Sequence, residues 1–262
     1  MSCPRMPEKG DHTIPALLDQ PFCDDASQLE ALEECRRLAQ SYVQVDGSVA
    51  VLSDFASDVS YMYAGGFGKS LHIEKPFTLL PSAFEDCIFH LLHPDDLLER
   101  HILELRYFAM QKELPVTERT KFSCHCRVRV SNGDGGYTYI NHRIFYLKSH
   151  QNGSIWLSLC LYAPATDNSN RAGIDGKIMN QDTGEIIAVE QYSRYDRSLL
   201  TGREVQILSL VAKGLGSKQI AAKLHIALYT VYRHRQNIIS KMQVTNATEA
   251  VRIAMTMGLL HE

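Results

Sequence analysis

Residues 200–257 constrain the fold most strongly, because they repeat short amphipathic helical patterns between clear start signals. Thr201 and Glu204 have the spacing of a capping box, in which the side chain of each residue accepts a hydrogen bond from the backbone N–H of the other. A helix is therefore predicted to begin at Gly202. Asn246 repeats this kind of start signal near the end of the region. Four short helices are therefore predicted here, with no strand among them.

The middle of this region predicts a helix-turn-helix. His225-Ile226-Ala227 is a three-residue turn, the length that this motif uses, and it precedes a third predicted helix over Leu228–Met242. The core side of that helix is predicted from helical spacing to carry Val231, Ile238 and Met242. Its opposite face carries Tyr229, Tyr232, Arg233 and Gln236, flanked by Arg235 and Asn237. Side chains of these types reach base edges and phosphates, which predicts a DNA-reading face.

The charge of the chain is divided unevenly. Its net charge is −3, but residues 198–262 hold 8 Lys/Arg and 3 Asp/Glu, whereas residues 1–197 hold 19 and 27. A basic C-terminal piece on an acidic body is typical of a nucleic-acid-binding head joined to a regulatory domain.

The C-terminal region resembles the LuxR-type (GerE-like, NarL/FixJ-type) DNA-binding domain over about residues 198–260. The resemblance rests on these motifs: Leu200-Thr201-x-Arg203-Glu204, Lys218-x-Ile220-Ala221, Leu224-x-Ile226, Thr230-Val231-x-x-His234, Asn237-Ile238, Lys241-Met242 and Asn246-x-x-Glu249-Ala250. It implies that the third helix enters the major groove of double-stranded DNA and that the fourth pairs two copies into a homodimer.

The same resemblance implies roles for individual side chains. It places Tyr232, Arg233 and Gln236 at base-facing positions, and it places Lys218, Thr230, Arg235 and Lys241 near phosphates. Ala227 departs from the family pattern, which usually has a serine before the recognition helix. A serine there would cap the helix, and its absence forfeits about 0.5–2 kcal/mol. Tyr229 and Tyr232 are also unusual in this helix.

The N-terminal part of the chain begins with a proline-containing arm, predicted over residues 1–27. A helix is predicted over Asp25–Gln40, followed by a hairpin of Tyr42–Val45 and Ser48–Leu52 around Asp46-Gly47. Gly65–Lys69 resembles a phosphate loop, but it lacks the spacing of a P-loop, so a glycine turn is predicted.

His93-Pro94-Asp95-Asp96 is predicted to begin the longer helix of the region Leu79–Lys112. Aspartates suit the positive N-terminal end of a helix, which explains this cluster better than a metal site or an acid/base pair.

Three strands are predicted next, at residues 121–131, 137–150 and 154–162, with one face suited to a core. Alternation points Cys124 and Cys126 to one face and His125 to the other. The three side chains therefore cannot bind one metal, and no metal ligand is assigned.

This layout resembles the second half of a PAS domain, and the preceding elements would fill its first half, over roughly residues 40–165. The resemblance implies a domain that senses a small ligand or redox state, or that mediates dimerisation. No motif specific to a flavin or haem is found, so the cofactor stays open. A small hairpin over Gly176–Glu190 and a polar linker are predicted to follow.

The predicted fold is thus α+β: a PAS-like antiparallel sheet with helices, followed by an all-α four-helix helix-turn-helix domain. The predicted domains are an arm (1–27), a PAS-like sensor or dimerisation domain (28–165), a hairpin and linker (166–197) and the DNA-binding domain (198–262). No apolar run approaches the ~20 residues of a membrane span. The odd number of scattered cysteines, seven, is typical of reduced cytosolic thiols, so a cytoplasmic protein is expected.

The favoured function is a one-component bacterial transcription regulator that is not an enzyme. Two alternatives share its DNA-binding head. A quorum-sensing small-ligand receptor would use several tryptophans, and only Trp156 is present. An orphan response regulator would need a receiver domain of alternating strands and helices. An N-terminal enzyme lacks a convincing nucleophile, base or ligand cluster.

Overall fold

The computed structural model describes residues 15–23, 28–167, 169, 173–188, 191–192, 195–196, 199–242, 244 and 246–260. It divides into two compact units, one of Leu17–Ser198 and one that includes Leu199–Glu262. The α+β class is confirmed, because the first unit is an antiparallel sheet with helices and the described elements of the second are all helical.

The sheet unit contains both helices and strands. Its helices are α1 (Pro15–Leu18), of which Leu17 and Leu18 belong to this unit, α2 (Gln28–Asp46), α3 (Asp86–Phe89) and α4 (Pro94–Glu113). Short 3-10 helices lie at Gly66–Leu71 and Val116–Lys121. Its strands are β1 (Val49–Asp54), β2 (Val59–Ala64), β3 (Phe77–Leu80), β4 (Phe122–Ser131), β5 (Tyr137–Ser149), β6 (Ile155–Pro164) and β7 (Lys177–Asn180).

The strands form one sheet in the order β3-β2-β1-β6-β5-β4-β7, and every pairing is antiparallel. The predicted meander is present as β4, β5 and β6. β1 and β2 form a hairpin, and β1 also pairs with β6, which connects this hairpin to the meander. A receiver domain would instead show parallel strands joined by helices.

Both faces of the central strands are buried. All six residues of β1 and the first eight of β6 are buried. One face packs against α2 through a cluster that includes Cys35, Ala39, Leu52 and Leu159. The other face meets α4, whose Tyr107 stacks on Tyr146 of β5 with ring centroids 4.7 Å apart. The expectation of a single core-facing side was therefore wrong for β6, because helices cover the sheet on both sides.

The predicted hairpin around Asp46-Gly47 is also wrong. Tyr42–Val45 continues α2, since Val43 follows Cys35 and Ala39 at intervals of four residues and shares their buried face. Gly47 follows the helix in the left-handed conformation, with φ of 72°, and the chain turns there. Its N–H donates to the carbonyl of Val43 at 2.9 Å. β1 pairs with β2 instead. The first three residues of the predicted helix, 25–27, lie outside the described residues.

The predicted start of α4 is confirmed. His93 is its N-cap, and the ring Nδ1 accepts a hydrogen bond from the backbone N–H of Asp95 at 3.3 Å. Asp96 is 1% exposed and accepts hydrogen bonds from Arg129 of β4, including one from its backbone N–H at 2.7 Å. Asp96 therefore joins α4 to the sheet, which is a structural role.

The region after the meander contributes an edge strand. β7 pairs with β4, while the second arm of the predicted hairpin contributes one bridge, between Met179 and Ile186. Val189 and Glu190 of that arm lie outside the described residues.

The helical unit follows the sequence prediction closely. Its helices are α5 (Gly202–Ala212), α6 (Ser217–Leu224), α7 (Leu228–Met242) and α8 (Ala247–Thr256). Gly214 (φ of 79°) follows α5 in the left-handed conformation, and His225 (φ of 53°) does so after α6. The core of this unit is formed by Ile207, Leu208, Ile220, Val231, Ile238, Met242, Ala250, Ile253 and Ala254. Across the described ranges, no helix is long and apolar enough to span a bilayer.

Candidate nucleic-acid interface

The third helix of the helical unit, α7, is anchored by one apolar side. Val231 is 0% exposed, Ile238 2% and Met242 0%, as their helical spacing predicts. The helix is preceded by the three-residue turn, in which Ile226 donates its backbone N–H to the carbonyl of Ala221 at 3.1 Å. Because the apolar side is fixed in the core, the orientation of the opposite side is fixed as well.

The opposite side of α7 is exposed and polar. Tyr229 is 76% exposed and Tyr232 53%, and Arg233 and Gln236 are also exposed. The side chains of Arg233 and Gln236 form no hydrogen bond within the part of the chain that the structure describes. Their donors and acceptors are therefore available to a partner that lies along this helix.

The predicted phosphate-binding side chains occupy different environments. Lys218 is exposed in the first turn of α6, whereas Thr230 and Arg235 are half-buried on α7. Lys241 also lies on α7, but its Nζ donates to Oε2 of Glu204 at 2.7 Å. Of the three predicted phosphate-binding cations, Lys241 is in an ion pair, whereas Lys218 and Arg235 have no ion-pair partner among the described residues.

Glu204 ties the start of α5 to the end of α7. It belongs to the predicted capping box, in which it accepts from the backbone N–H of Thr201 at 2.8 Å, and it is 2% exposed. Burial alone raises the pKa of the Glu204 carboxyl, but the hydrogen bonds from Lys241 and Thr201 outweigh this effect, so the pKa lies below its usual value. The carboxylate is charged and satisfied at neutral pH.

The start of α7 lacks a side-chain cap, as the alanine at position 227 requires. The carbonyl of Ala227 accepts from the N–H groups of Thr230 at 3.0 Å and Val231 at 3.3 Å, so the helix still closes its first turn. The side chain offers no acceptor to the free N–H groups of that turn.

The fourth helix, α8, is capped by Asn246, whose side chain accepts from the backbone N–H of Glu249 at 2.9 Å. Its buried side contains Ala250, Ile253 and Ala254, whereas Val251 is half-buried. Met255 is 43% exposed and lies near the exposed Arg252 in sequence. This leaves an apolar and cationic surface on the helix that the family resemblance assigns to dimerisation.

The sheet unit brings together chemically active residues that the sequence analysis did not single out. Glu85, His142 and Cys160 are buried and place a carboxylate oxygen, an imidazole nitrogen and a sulfur within 4.8 Å of one another. The alternation of β5 could have placed His142 in the core, but Glu85 comes from a loop, and no local pattern connects it with the strand. These residues could hold a metal ion.

The Cys124-His125-Cys126 motif behaves as predicted on its strand. Cys124 is 1% exposed and Cys126 6%, while His125 points to the other face and its Nε2 lies 2.7 Å from Oγ of Ser123. Burial, together with Arg143 and Lys177, lowers the pKa of His125 to about 4. The six cysteines in the described ranges are free thiols.

Residues 198–254 match the family model of bacterial regulatory proteins of the luxR family. They form a LuxR-type helix-turn-helix domain. The response regulator protein VraR of Staphylococcus aureus is 44% identical over 62 residues, which are 24% of this chain and 30% of that protein. VraR of Staphylococcus epidermidis gives the same values. The chain thus spans less than a third of the length of these relatives.

Solved structures with weaker likeness extend over more of the chain. A crystal structure of a phage VqmA–DPO complex is 15% identical, covers 89% of this chain and 92% of its own, and has a TM-score of 0.29. A Vibrio cholerae VqmA–ligand–DNA complex is 15% identical over 87% and 89%, with a TM-score of 0.26. Escherichia coli SdiA is 14% identical over 91% and 94%, with a TM-score of 0.23. These scores are too low to support an argument about this chain.

Proposed function

We propose that this protein is a sequence-specific DNA-binding transcription regulator, in which the sheet unit controls the helix-turn-helix. One observation carries the proposal: the exposed side of α7 presents an arginine and a glutamine whose side chains have no hydrogen-bond partner among the described residues, on a helix whose other side is fixed in the core. The match of residues 198–254 to the luxR family supports it independently.

The proposed contacts follow from the chemistry of the major groove. The Arg233 guanidinium can donate two hydrogen bonds to guanine, and the Gln236 amide can pair with adenine. Tyr232 lies beside them and offers a hydroxyl and an aromatic face. Lys218 and Arg235 would neutralise phosphates on either side of this helix, which predicts binding that weakens as salt increases.

The reading face can be tested with a double variant of the full chain. Selection of bound sequences from a random DNA pool, followed by footprinting, defines the preferred site of the wild-type protein. Arg233→Ala combined with Gln236→Ala should abolish that preference, since each good bidentate pair contributes about 1–3 kcal/mol of discrimination. Lys213→Ala removes an exposed cation of the same domain outside this face and serves as the control. An unchanged footprint and affinity in the double variant would refute the assignment.

We propose that two copies bind an inverted repeat through α8. The support is the exposed Met255 and Arg252 on that helix. Met255→Asp should weaken binding to the two-site DNA while leaving the weak binding to a single half-site unchanged. Equal losses on both DNAs would show instead that α8 contributes to contacts with DNA or to folding.

We propose that the sheet unit is a PAS-like input domain. Its antiparallel sheet, with a first hairpin joined to a three-stranded meander and helices on both faces, supports this reading over a receiver domain. A small-ligand receptor of the quorum-sensing kind is compatible with the same unit. Native mass spectrometry of the full chain tests the input: a bound small molecule names a ligand, and an empty dimer favours a structural or protein-triggered role.

A further inference from the structure

Three metal-binding side chains meet in the core of the sheet unit. Glu85 lies directly before α3, His142 lies on β5 and Cys160 lies on β6, and they are 2%, 0% and 4% exposed. Their potential ligand atoms all lie within 4.8 Å of one another. They lie in a buried region that also contains the charged side chains of Arg100 and Glu104.

The sheet register explains how two of the three meet. On the face that meets α4, His142 is directly opposite Tyr162, and Ile144 is opposite Cys160, so His142 and Cys160 are diagonal neighbours. The hydroxyl of Tyr162 then donates to Oε1 of Glu85 at 2.7 Å. This hydrogen bond holds the Glu85 carboxylate above the two strand residues.

The imidazole of His142 has one nitrogen left for a further partner. Its Nδ1 accepts a hydrogen bond from Nε of Arg100 at 3.4 Å and lies 3.7 Å from Sγ of Cys126. Its Nε2 is buried and has no hydrogen-bond partner among the described residues. A buried polar atom without a partner costs about 1–3 kcal/mol, so its retention here points to a ligand.

The charges around the cluster allow a divalent cation to enter. Arg100 and Glu104 form a buried ion pair at 3.1 Å, which is neutral as a pair. A divalent cation with the carboxylate of Glu85 and the thiolate of Cys160 is also neutral, so no net charge is placed in the core. An isolated buried charge would be strongly unfavourable.

We propose that Glu85, His142 and Cys160 form a binding site for a zinc-like divalent transition metal. The mixed sulfur, nitrogen and oxygen donors suit zinc or cobalt and exclude magnesium and calcium, which prefer oxygen alone. Zinc holds sulfur at about 2.3 Å and nitrogen or oxygen at about 2.0–2.2 Å, so the donors would close in by about an ångström. The thiol of Cys160 loses its proton on binding.

Three protein ligands leave a fourth position open in a tetrahedral site. Such an arrangement is typical of metals that also bind water or a small molecule, whereas structural zinc is usually held by four side chains. In this structure Nδ1 of His142 accepts from Nε of Arg100, so the neutral ring carries its proton on Nε2. Coordination of a metal through Nε2 would therefore move that proton to Nδ1 and break the hydrogen bond from Arg100, and Sγ of Cys126, 3.7 Å away, would then be the acceptor for Nδ1. The site would thus give the sheet unit a chemical input of its own.

The first experiment titrates the metal-free full-length protein with cobalt(II). One equivalent should produce a thiolate-to-cobalt absorption band and tetrahedral d–d bands, and zinc should displace both. Cys160→Ser should remove the thiolate band, and His142→Gln should weaken cobalt binding by more than the roughly 10–100-fold that loss of an outer partner costs. Cys87→Ser removes an exposed thiol of the same unit and should leave the spectrum unchanged.

Two outcomes of the cobalt titration would contradict the proposed site. Absence of a stoichiometric cobalt spectrum, or a thiolate band that persists in Cys160→Ser, would overturn the proposal. Because a core variant can fail to fold, cadmium-113 NMR of the wild-type protein is the second measurement. One resonance in the range of a single-thiolate, mixed-donor site supports the proposal, and an all-oxygen resonance refutes it. Neither measurement involves DNA, so its result is independent of the proposed DNA binding.

Discussion

The Nζ of Lys241 donates a hydrogen bond to Oε2 of Glu204 at 2.7 Å, which joins the last turn of α7 to the first turn of α5. Glu204 is 2% exposed and already accepts from Thr201, whereas the side chain of Lys241 is 39% exposed. The relationship gives Lys241 a role in the fold of the helical unit, in a position where the family resemblance suggests a phosphate contact.

Lys241→Ala should destabilise the helical unit by about 1–2 kcal/mol, because it leaves a buried carboxylate without its cation. Trp156 is the single tryptophan and lies in the sheet unit, so fluorescence would not report this loss. Hydrogen exchange of α5 and α7 in the full chain measures it. Lys213→Ala should change exchange little. Unchanged exchange in Lys241→Ala, with a reduced salt dependence of DNA binding, would favour the phosphate role instead.

The stability of the helical unit should fall in acid in a way that depends on Glu204. The pKa of its carboxyl is lower in the folded state than its ordinary value of 4.5, so the carboxylate form favours folding. That stabilisation is fully present above pH 4.5 and is lost as the pH falls through the lower, folded-state pKa. Hydrogen exchange compared between pH 6 and pH 3.5 should show a smaller acid effect in Glu204→Gln. An equal acid effect in both proteins would assign it to other carboxyls.

Ala227→Ser should stabilise the start of α7 by about 0.5–2 kcal/mol, since the hydroxyl can accept from a free N–H of the first turn. Amide exchange at Tyr229 should slow, while the preferred DNA sequence should stay the same. Ala227→Val, which adds bulk without an acceptor, is the control. A change of sequence preference in the serine variant would show that residue 227 contacts DNA.

Arg235→Ala should weaken binding to all DNA sequences alike and lower the salt slope of log K by about 0.9, as expected for one lost phosphate contact. Lys218→Ala should behave in the same way, because its exposed ammonium has no ion pair among the described residues. Fluorescence anisotropy at several salt concentrations, on specific and unrelated DNA, measures the slopes. A selective loss on the specific site would reassign either residue to base recognition.

Asp96→Asn should destabilise the sheet unit by about 1.5–3 kcal/mol, because Asp96 is 1% exposed and forms charge-assisted hydrogen bonds with Arg129. Denaturant unfolding followed by Trp156 fluorescence reports on this unit. Asp95→Asn alters the neighbouring aspartate, whose side chain is 78% exposed, and provides the matched control. Similar midpoints for the two variants would contradict the structural role of Asp96.

The helical unit could be predicted almost residue by residue, because its signals are local. The capping box of Thr201 and Glu204, the turn before Leu228 and the cap at Asn246 each lie within a few residues of the helix end that they specify. The strands β4, β5 and β6 were predictable for the same reason, since alternation and glycine turns act within a single segment. What the sequence determined is therefore the set of elements and the two faces of α7.

The tertiary structure decided the relationships between distant residues. It extended α2 through Tyr42–Val45, because the sheet face offered apolar contacts that outweigh local strand propensity. It used Lys241 to neutralise Glu204, and it brought Glu85 over His142 and Cys160. These outcomes depend on strand register and on side chains separated by tens of residues. Local propensity contains no information about such pairings, because their free energy arises only when the core is packed.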